Sequence, residues 1–257
     1  MTAENRVIRF EANGPAETGL VKMTLDQDDF QSTLPEQSLH VYFEDEDLGL
    51  SLGVWTTTTM QERFGPYPGD EFIWVLEGHF AMIDGHGNET PVKEGDTCCF
   101  RNAIPISWKQ DGFLKKFYMT WSNPKAEIPE IASADGGVMV FDPDGLEAGL
   151  VEMDSTDPFE IKGDVPVQRD NTLFSNDAGN MFAGMWDSTA FESKMKPFPT
   201  HEFVQMLEGE VTITEHGGTA HLFKAGEAFF IPMGTVCSWK TTGYIKKYYS
   251  VLDPAAG

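Results

Sequence analysis

The chain has 257 residues, 41 of them acidic and 18 basic, for a formal net charge of −23. A surface of that sign repels phosphate backbones and anionic lipid, so nucleic acid and membrane are excluded as expected partners. No stretch approaches the roughly 18 apolar residues of a membrane span, the Met1–Gly14 segment has no apolar core of signal-peptide length, and three cysteines (Cys98, Cys99, Cys237) make no disulfide framework, which together predict a cytoplasmic protein.

The chain is written twice. Val7-Ile8-Arg9-Phe10 returns as Val138-Met139-Val140-Phe141, and Leu20-Val21-Lys22-Met23 as Leu150-Val151-Glu152-Met153. His40-Val41-Tyr42-Phe43 then faces Asn171-Thr172-Leu173-Phe174. From residue 52 to 118 the match to 183–249 runs without a gap, and about 20 of the 67 pairs are identical. Gly53-Val54-Trp55 answers Gly184-Met185-Trp186, Leu76-Glu77-Gly78 answers Leu207-Glu208-Gly209, and Ser107-Trp108-Lys109 answers Ser238-Trp239-Lys240. A period this long is domain duplication rather than a solenoid repeat. The expected borders are an N-terminal domain over 1–123, a linker over 124–137 and a C-terminal domain over 138–257.

Each regular core reads as short strands broken by turns. Phe72–Leu76 runs into the Glu77-Gly78 turn and His79–Ile83 follows, with Asp84-Gly85-His86-Gly87-Asn88 as the next turn signal. Thr97–Phe100 and Ala228–Ile231 are apolar strands just after Gly95-Asp96 and Gly226-Glu227. Aromatic-rich strands, Phe113–Trp121 and Tyr244–Leu252, close the two cores. Many short strands at even spacing, with no sustained 3.6-residue period, predict an all-β sandwich or barrel in each copy.

These residues resemble the cupin family. Glu71 stands six residues before Gly78 and Glu202 six before Gly209, the spacing that ends the first cupin motif. Gly226 followed after five residues by Pro232-Met233-Gly234 fits the second motif; in the first copy that tripeptide is Arg101-Asn102-Ala103. The Leu-Glu-Gly turn, the Trp and the closing Lys-Lys-x-Tyr pattern are similar to the ureidoglycine aminohydrolase-like group, which also holds the ethanolamine-utilisation type of cupin. The resemblance implies two tandem RmlC-like jelly-roll barrels, a bicupin, and a fold whose barrels commonly pair as homodimers. It implies a small-molecule ligand or substrate, and does not by itself choose between a binding protein and an enzyme.

The ligand set departs from that family. A metal-binding cupin uses three histidines and a glutamate. Here the His-x-His positions fall near Gly65 and Tyr67 in the first copy and near Lys196 and Phe198 in the second, and the third histidine is replaced by Ile106 and Cys237. One carboxylate per copy does not hold a transition metal, so no metal is assigned. A divalent metal held instead by Glu202, Cys237 and His201 is the remaining alternative in the second copy, against which His201, adjacent to Glu202, is expected on the opposite face or in the turn. The expected ligand-binding residues are Glu202, Lys196, Phe198, Cys237 and Trp239 in the second barrel and Glu71, Tyr67 and Trp108 in the first. A buried glutamate needs a cation, and Lys247 or Lys246 is the expected partner of Glu202. Two functions remain: a small polar metabolite bound in the C-terminal barrel, or a hydrolase- or isomerase-like enzyme acting on a small nitrogenous or carboxylated substrate.

Overall fold

A computed structural model describes residues 5–125 and 138–256. The chain divides into two compact units, one formed by Phe10–Phe141 and the other by Asp142–Gly257 together with Met1–Arg9. The first unit begins and ends later than the expected 1–123, and the second begins at Asp142 rather than 138 and takes in the first nine residues, with the same end at 257. Most of the linker expected over 124–137 lies outside the described residues. Among the described residues no helix is long and apolar enough to cross a membrane.

In the N-terminal unit a seven-stranded sheet runs in the order Val138–Val140, Thr97–Phe100, Asp70–Glu77, Leu114–Trp121, Leu50–Thr57, Gln37–Asp45 and Val21–Lys22. A second sheet orders Met60–Gln61, Pro105–Gln110, His79–Ile83 and Glu89–Lys93. The C-terminal unit repeats the plan. Its large sheet orders Ile8–Phe10, Ala228–Ile231, His201–Glu208, Ile245–Leu252, Met181–Ser188, Gln168–Ser175 and Val151–Glu152. Its small sheet orders Ile161–Lys162, Phe191–Ser193, Val236–Thr241, Glu210–Glu215 and Ala220–Lys224. Both units are jelly-roll barrels.

The outer strand of each large sheet comes from the arm of the other repeat. Ile8–Phe10 pairs with Ala228–Ile231 in the C-terminal barrel, and Val138–Val140 pairs with Thr97–Phe100 in the N-terminal one. In the C-terminal unit the Arg9 guanidinium lies 4.2 Å from the Phe223 ring centroid and bonds Glu227, while the Val7 amide donates to Glu215.

The barrel interiors follow from alternation along the strands. Phe229, Ile231, Val204, Met206, Trp239 and Ile213 fill the second core; Ile73, Val75, Phe80, Phe100, Trp108 and Ile106 fill the first. The Leu-Glu-Gly turn needs its glycine twice. Gly78 and Gly209 have φ of 84° and 77°, and a Cβ there would lie 2.1 Å from the Phe113 carbonyl oxygen and 2.2 Å from that of Tyr244.

Candidate functional site

Both barrels carry the same charged centre on the concave face of the large sheet. In the first, Lys116 Nζ lies 2.8 Å from Glu71 Oε1, and both side chains are buried. The ammonium sits 4.9 Å from the ring centroids of both Trp55 and Trp108. In the second, Lys247 pairs with Glu202 and sits 4.8 Å from Trp186 and 4.9 Å from Trp239. Of the two lysines expected to serve Glu202, Lys247 does so, and Lys246 pairs with Glu147 at 3.0 Å. Removing an ammonium and a carboxylate from water costs several kcal/mol each, and the direct pair with two indole faces offsets part of it.

The two centres differ in one hydroxyl. Tyr67 and Phe198 are held alike by the backbone. The Tyr67 amide donates to the Ile104 carbonyl at 2.8 Å and its carbonyl accepts from the Ala103 amide at 2.7 Å; the Phe198 amide donates to Thr235 at 2.9 Å and its carbonyl accepts from Gly234 at 2.7 Å. In the first barrel the Tyr67 hydroxyl donates to Glu71 Oε2, so both oxygens of that carboxylate are engaged. Burial, and then the Glu71 charge, push the Tyr67 phenol well above its ordinary value, which keeps it a donor. In the second barrel Phe198 has no hydroxyl, and among the described residues Glu202 bonds only to Lys247, through Oε1. Its second oxygen is left for whatever occupies the adjoining cavity.

That cavity has a volume of about 300 Å³. Glu202, Lys247 and Trp186 line it, with Phe159, Asp170 and Tyr249. Cross-strand register explains the grouping. Asp170 stands opposite Trp186, and Trp186 opposite Lys247, in one row across three strands. Tyr249 follows two residues after Lys247 on the same face. Its hydroxyl lies 2.8 Å from Thr172 Oγ1, which donates to Asp170 at 3.0 Å. Burial raises the Asp170 carboxyl above its ordinary value, against the lowering effect of the Tyr249 and Thr172 hydroxyls and of Lys247. Burial likewise raises the Tyr249 phenol strongly.

Several expected site residues lie elsewhere. Lys196 pairs with Glu160 at 3.6 Å and does not line the cavity, because its strand, Lys196–Pro197, pairs with Val236–Thr241 in the small sheet. Phe198, Cys237 and Trp239 are buried in the core behind the cavity and do not line it; Phe198 and Trp239 stack at 6.1 Å. The Cys237 thiol is pushed up to about 12, chiefly by burial, which disfavours the thiolate that a nucleophile needs. His201 is buried rather than in a solvent-exposed turn: it accepts a bond from the Met233 amide at Nδ1, 3.2 Å away, and stacks on Phe230. Strand alternation puts it on the face opposite Glu202. In the first barrel Trp108 stacks on Phe80 at 3.8 Å within the core, and Tyr67 fills the space beside Glu71. Beside this centre, burial raises the Glu62 carboxyl to about 7 in spite of Lys116.

Sequence reasoning missed Asp170 and Tyr249. Asp170 lies in the less regular arm, and its counterpart in the first repeat is Leu39, which takes the same register position opposite Trp55. That apolar-to-acidic difference between the repeats was the available signal. The donor set does not suit a transition metal. At the four ligand positions only Glu202 offers an anionic oxygen and Lys247 occupies it, and no group of three or more His, Cys, Asp or Glu side chains among the described residues could hold a metal ion.

Residues 176–249 match the model of the EutQ-like cupin domain. The fold is that of a bicupin. A protein of unknown function from Pseudomonas syringae pv. tomato superposes with a TM-score of 0.76 at 21% identity, over 96% of this chain and 100% of that one. A putative dioxygenase from Nostoc punctiforme gives a TM-score of 0.62 at 12% identity, over 100% of this chain and 85% of that one. The YlbA protein from E. coli gives 0.53 at 12% identity, over 98% and 93%. No curated protein matches. At these identities the likeness concerns the bicupin fold, and its activity must be argued from the residues.

Proposed function

We propose that the C-terminal barrel of this bicupin binds a small polar metabolite without a tightly held metal. One observation carries the reading: the replacement of Tyr67 by Phe198 leaves the second oxygen of Glu202 open toward a cavity of about 300 Å³, where the equivalent oxygen of Glu71 is capped. A carboxylate oxygen facing a partly desolvated cavity with no protein donor is available to a ligand or water that supplies one. The ureidoglycine aminohydrolase-like resemblance supports a small nitrogenous or carboxylated molecule as the class to screen.

The test is the Phe198→Tyr variant. Small amines, ureides and carboxylic acids are titrated into the full chain while indole fluorescence is followed, since Trp186 lines the cavity. A compound that saturates the wild-type signal is expected to bind Phe198→Tyr at least about tenfold more weakly, because the new hydroxyl takes the open oxygen. Tyr67→Phe in the other barrel is expected to leave that affinity unchanged. Equal binding to wild type and Phe198→Tyr sinks the reading.

A hydrolase- or isomerase-like activity is the competing reading. Its support is Asp170, a carboxyl raised by burial and in reach of the Thr172 and Tyr249 hydroxyls, an arrangement suited to moving a proton. Proton spectra of a bound compound after prolonged incubation separate the two: an unchanged ligand supports binding, and a product supports catalysis.

A further inference from the structure

We propose that the ligand of the C-terminal cavity is a small organic amine, held as its ammonium form by Asp170 and the open oxygen of Glu202 against an aromatic wall; this rests on the reading of that cavity as a metabolite site. Charge balance is the first argument. The ionisable side chains along the cavity, apart from the phenol of Tyr249, are Asp157, Asp170, Glu202 and Lys247. Lys247 is the one cation among them, and it is committed to Glu202. The neighbouring cation in sequence, Arg169, is committed to Asp187, with Nε 3.0 Å from Oδ1. Asp170 is left with hydroxyl donors only, and no ion pair is formed by it among the described residues.

A carboxylate ligand would bring a further anion beside Glu202 and Asp170 in a half-enclosed, partly desolvated space. A neutral ligand would leave the Asp170 charge uncompensated. A monocation offsets the Asp170 charge, while Asp157 at the same cavity accepts from the Ser155 hydroxyl at 3.0 Å, and the N–H groups of that cation supply a charged donor to Asp170 and a donor to the second oxygen of Glu202.

The wall is the second argument. Trp186, Phe159 and Tyr249 present aromatic surface, which attracts an ammonium at its faces. Met153 and Val251 add apolar surface. A volume of about 300 Å³ is far larger than a bare ammonium ion requires, so the cation carries an organic body. The first repeat is the internal control. There the position of Asp170 is Leu39, and Tyr67 caps the carboxylate, so both amine-recognising features are missing together.

The experiment is isothermal titration calorimetry at neutral pH with three probes of one shape, benzylamine, benzyl alcohol and benzoate, on the wild-type chain and on Asp170→Asn. Benzylamine is expected to bind at least about tenfold more tightly than either other probe, and Asp170→Asn to lose at least about tenfold in benzylamine affinity while its thermal midpoint stays near that of wild type. The three-probe comparison needs no variant, so it stands even if Asp170→Asn folds poorly. Benzoate or benzyl alcohol binding as tightly as benzylamine overturns the amine inference and leaves the metabolite-site reading intact. Benzylamine binding unchanged in a folded Asp170→Asn also overturns it. Absence of heat from all three probes counts against both.

Discussion

At the scale of single residues the duplication acts as an experiment already performed, in which one side chain changes and its bracket does not. Ala103 is the clearest case. The second repeat has Gly234 at this position with φ of 86°; the first keeps the left-handed turn with Ala103 at φ of 62°. For a residue with a Cβ that conformation costs roughly 1–2 kcal/mol. The turn persists because its amide still donates to the Tyr67 carbonyl and sets Tyr67 beside Glu71. Ala103→Gly is therefore expected to stabilise the N-terminal unit by about 0.5–1 kcal/mol, the relief of strain being offset in part by the freer unfolded chain. Chemical denaturation followed by fluorescence measures it, and a loss of stability would mean that the alanine methyl packs usefully despite its backbone. Phe198 obeys the same logic in the opposite direction. Its bracket is intact and its hydroxyl is gone, so the change opens a site instead of straining a turn.

At the scale of elements, the strands were largely legible and their partners were not. Thr97–Phe100 and Ala228–Ile231 are apolar runs after a glycine turn, and the sequence marks their limits as well as their type. The arm segments around Ile8 and Met139 were legible as a repeat, yet no local pattern says which barrel receives them, because pairing of a short edge strand is settled by long-range contacts. The site was legible to the same degree. Glu202 and Glu71 follow from motif spacing and Lys247 from the cost of a buried carboxylate. Lys196 lies away from the cavity because its two-residue strand joins the small sheet, and Asp170 was hidden in an arm without a regular pattern. The exchanged strand has a measurable consequence. Deleting residues 1–10 leaves the Ala228–Ile231 edge unpaired and removes the Arg9–Glu227 pair and the Arg9 stack on Phe223. Hydrogen exchange is expected to show faster exchange of amides in Ala228–Ile231, by an order of magnitude or more, with Thr97–Phe100 little changed because its edge partner is Val138–Val140. Loss of protection confined to Thr97–Phe100 would contradict the exchanged pairing.

At the scale of the whole molecule the chain carries a net charge of −23, whose repulsion is expected to outweigh the exposed ion pairs. Pairs such as Lys22–Glu36 and Lys109–Glu89 are exposed, so each contributes little and salt weakens it. With 41 acidic residues against 18 basic ones, however, most carboxylates have no basic residue to pair with, and their mutual repulsion favours the expanded chain. Salt weakens the attraction and the repulsion alike, with opposite consequences for stability. Raising ionic strength from about 0.01 M to about 0.1 M shortens the screening length from about 30 Å to about 10 Å, which suppresses the many long-range repulsions before it touches pairs in contact. The thermal midpoint is therefore expected to rise by a few degrees across that range in sodium chloride, with the Glu71–Lys116 and Glu202–Lys247 pairs little affected because their charges are in direct contact, well inside a screening length. Differential scanning calorimetry at fixed pH measures the shift. A midpoint that falls with salt would mean that the contact pairs outweigh the excess of negative charge.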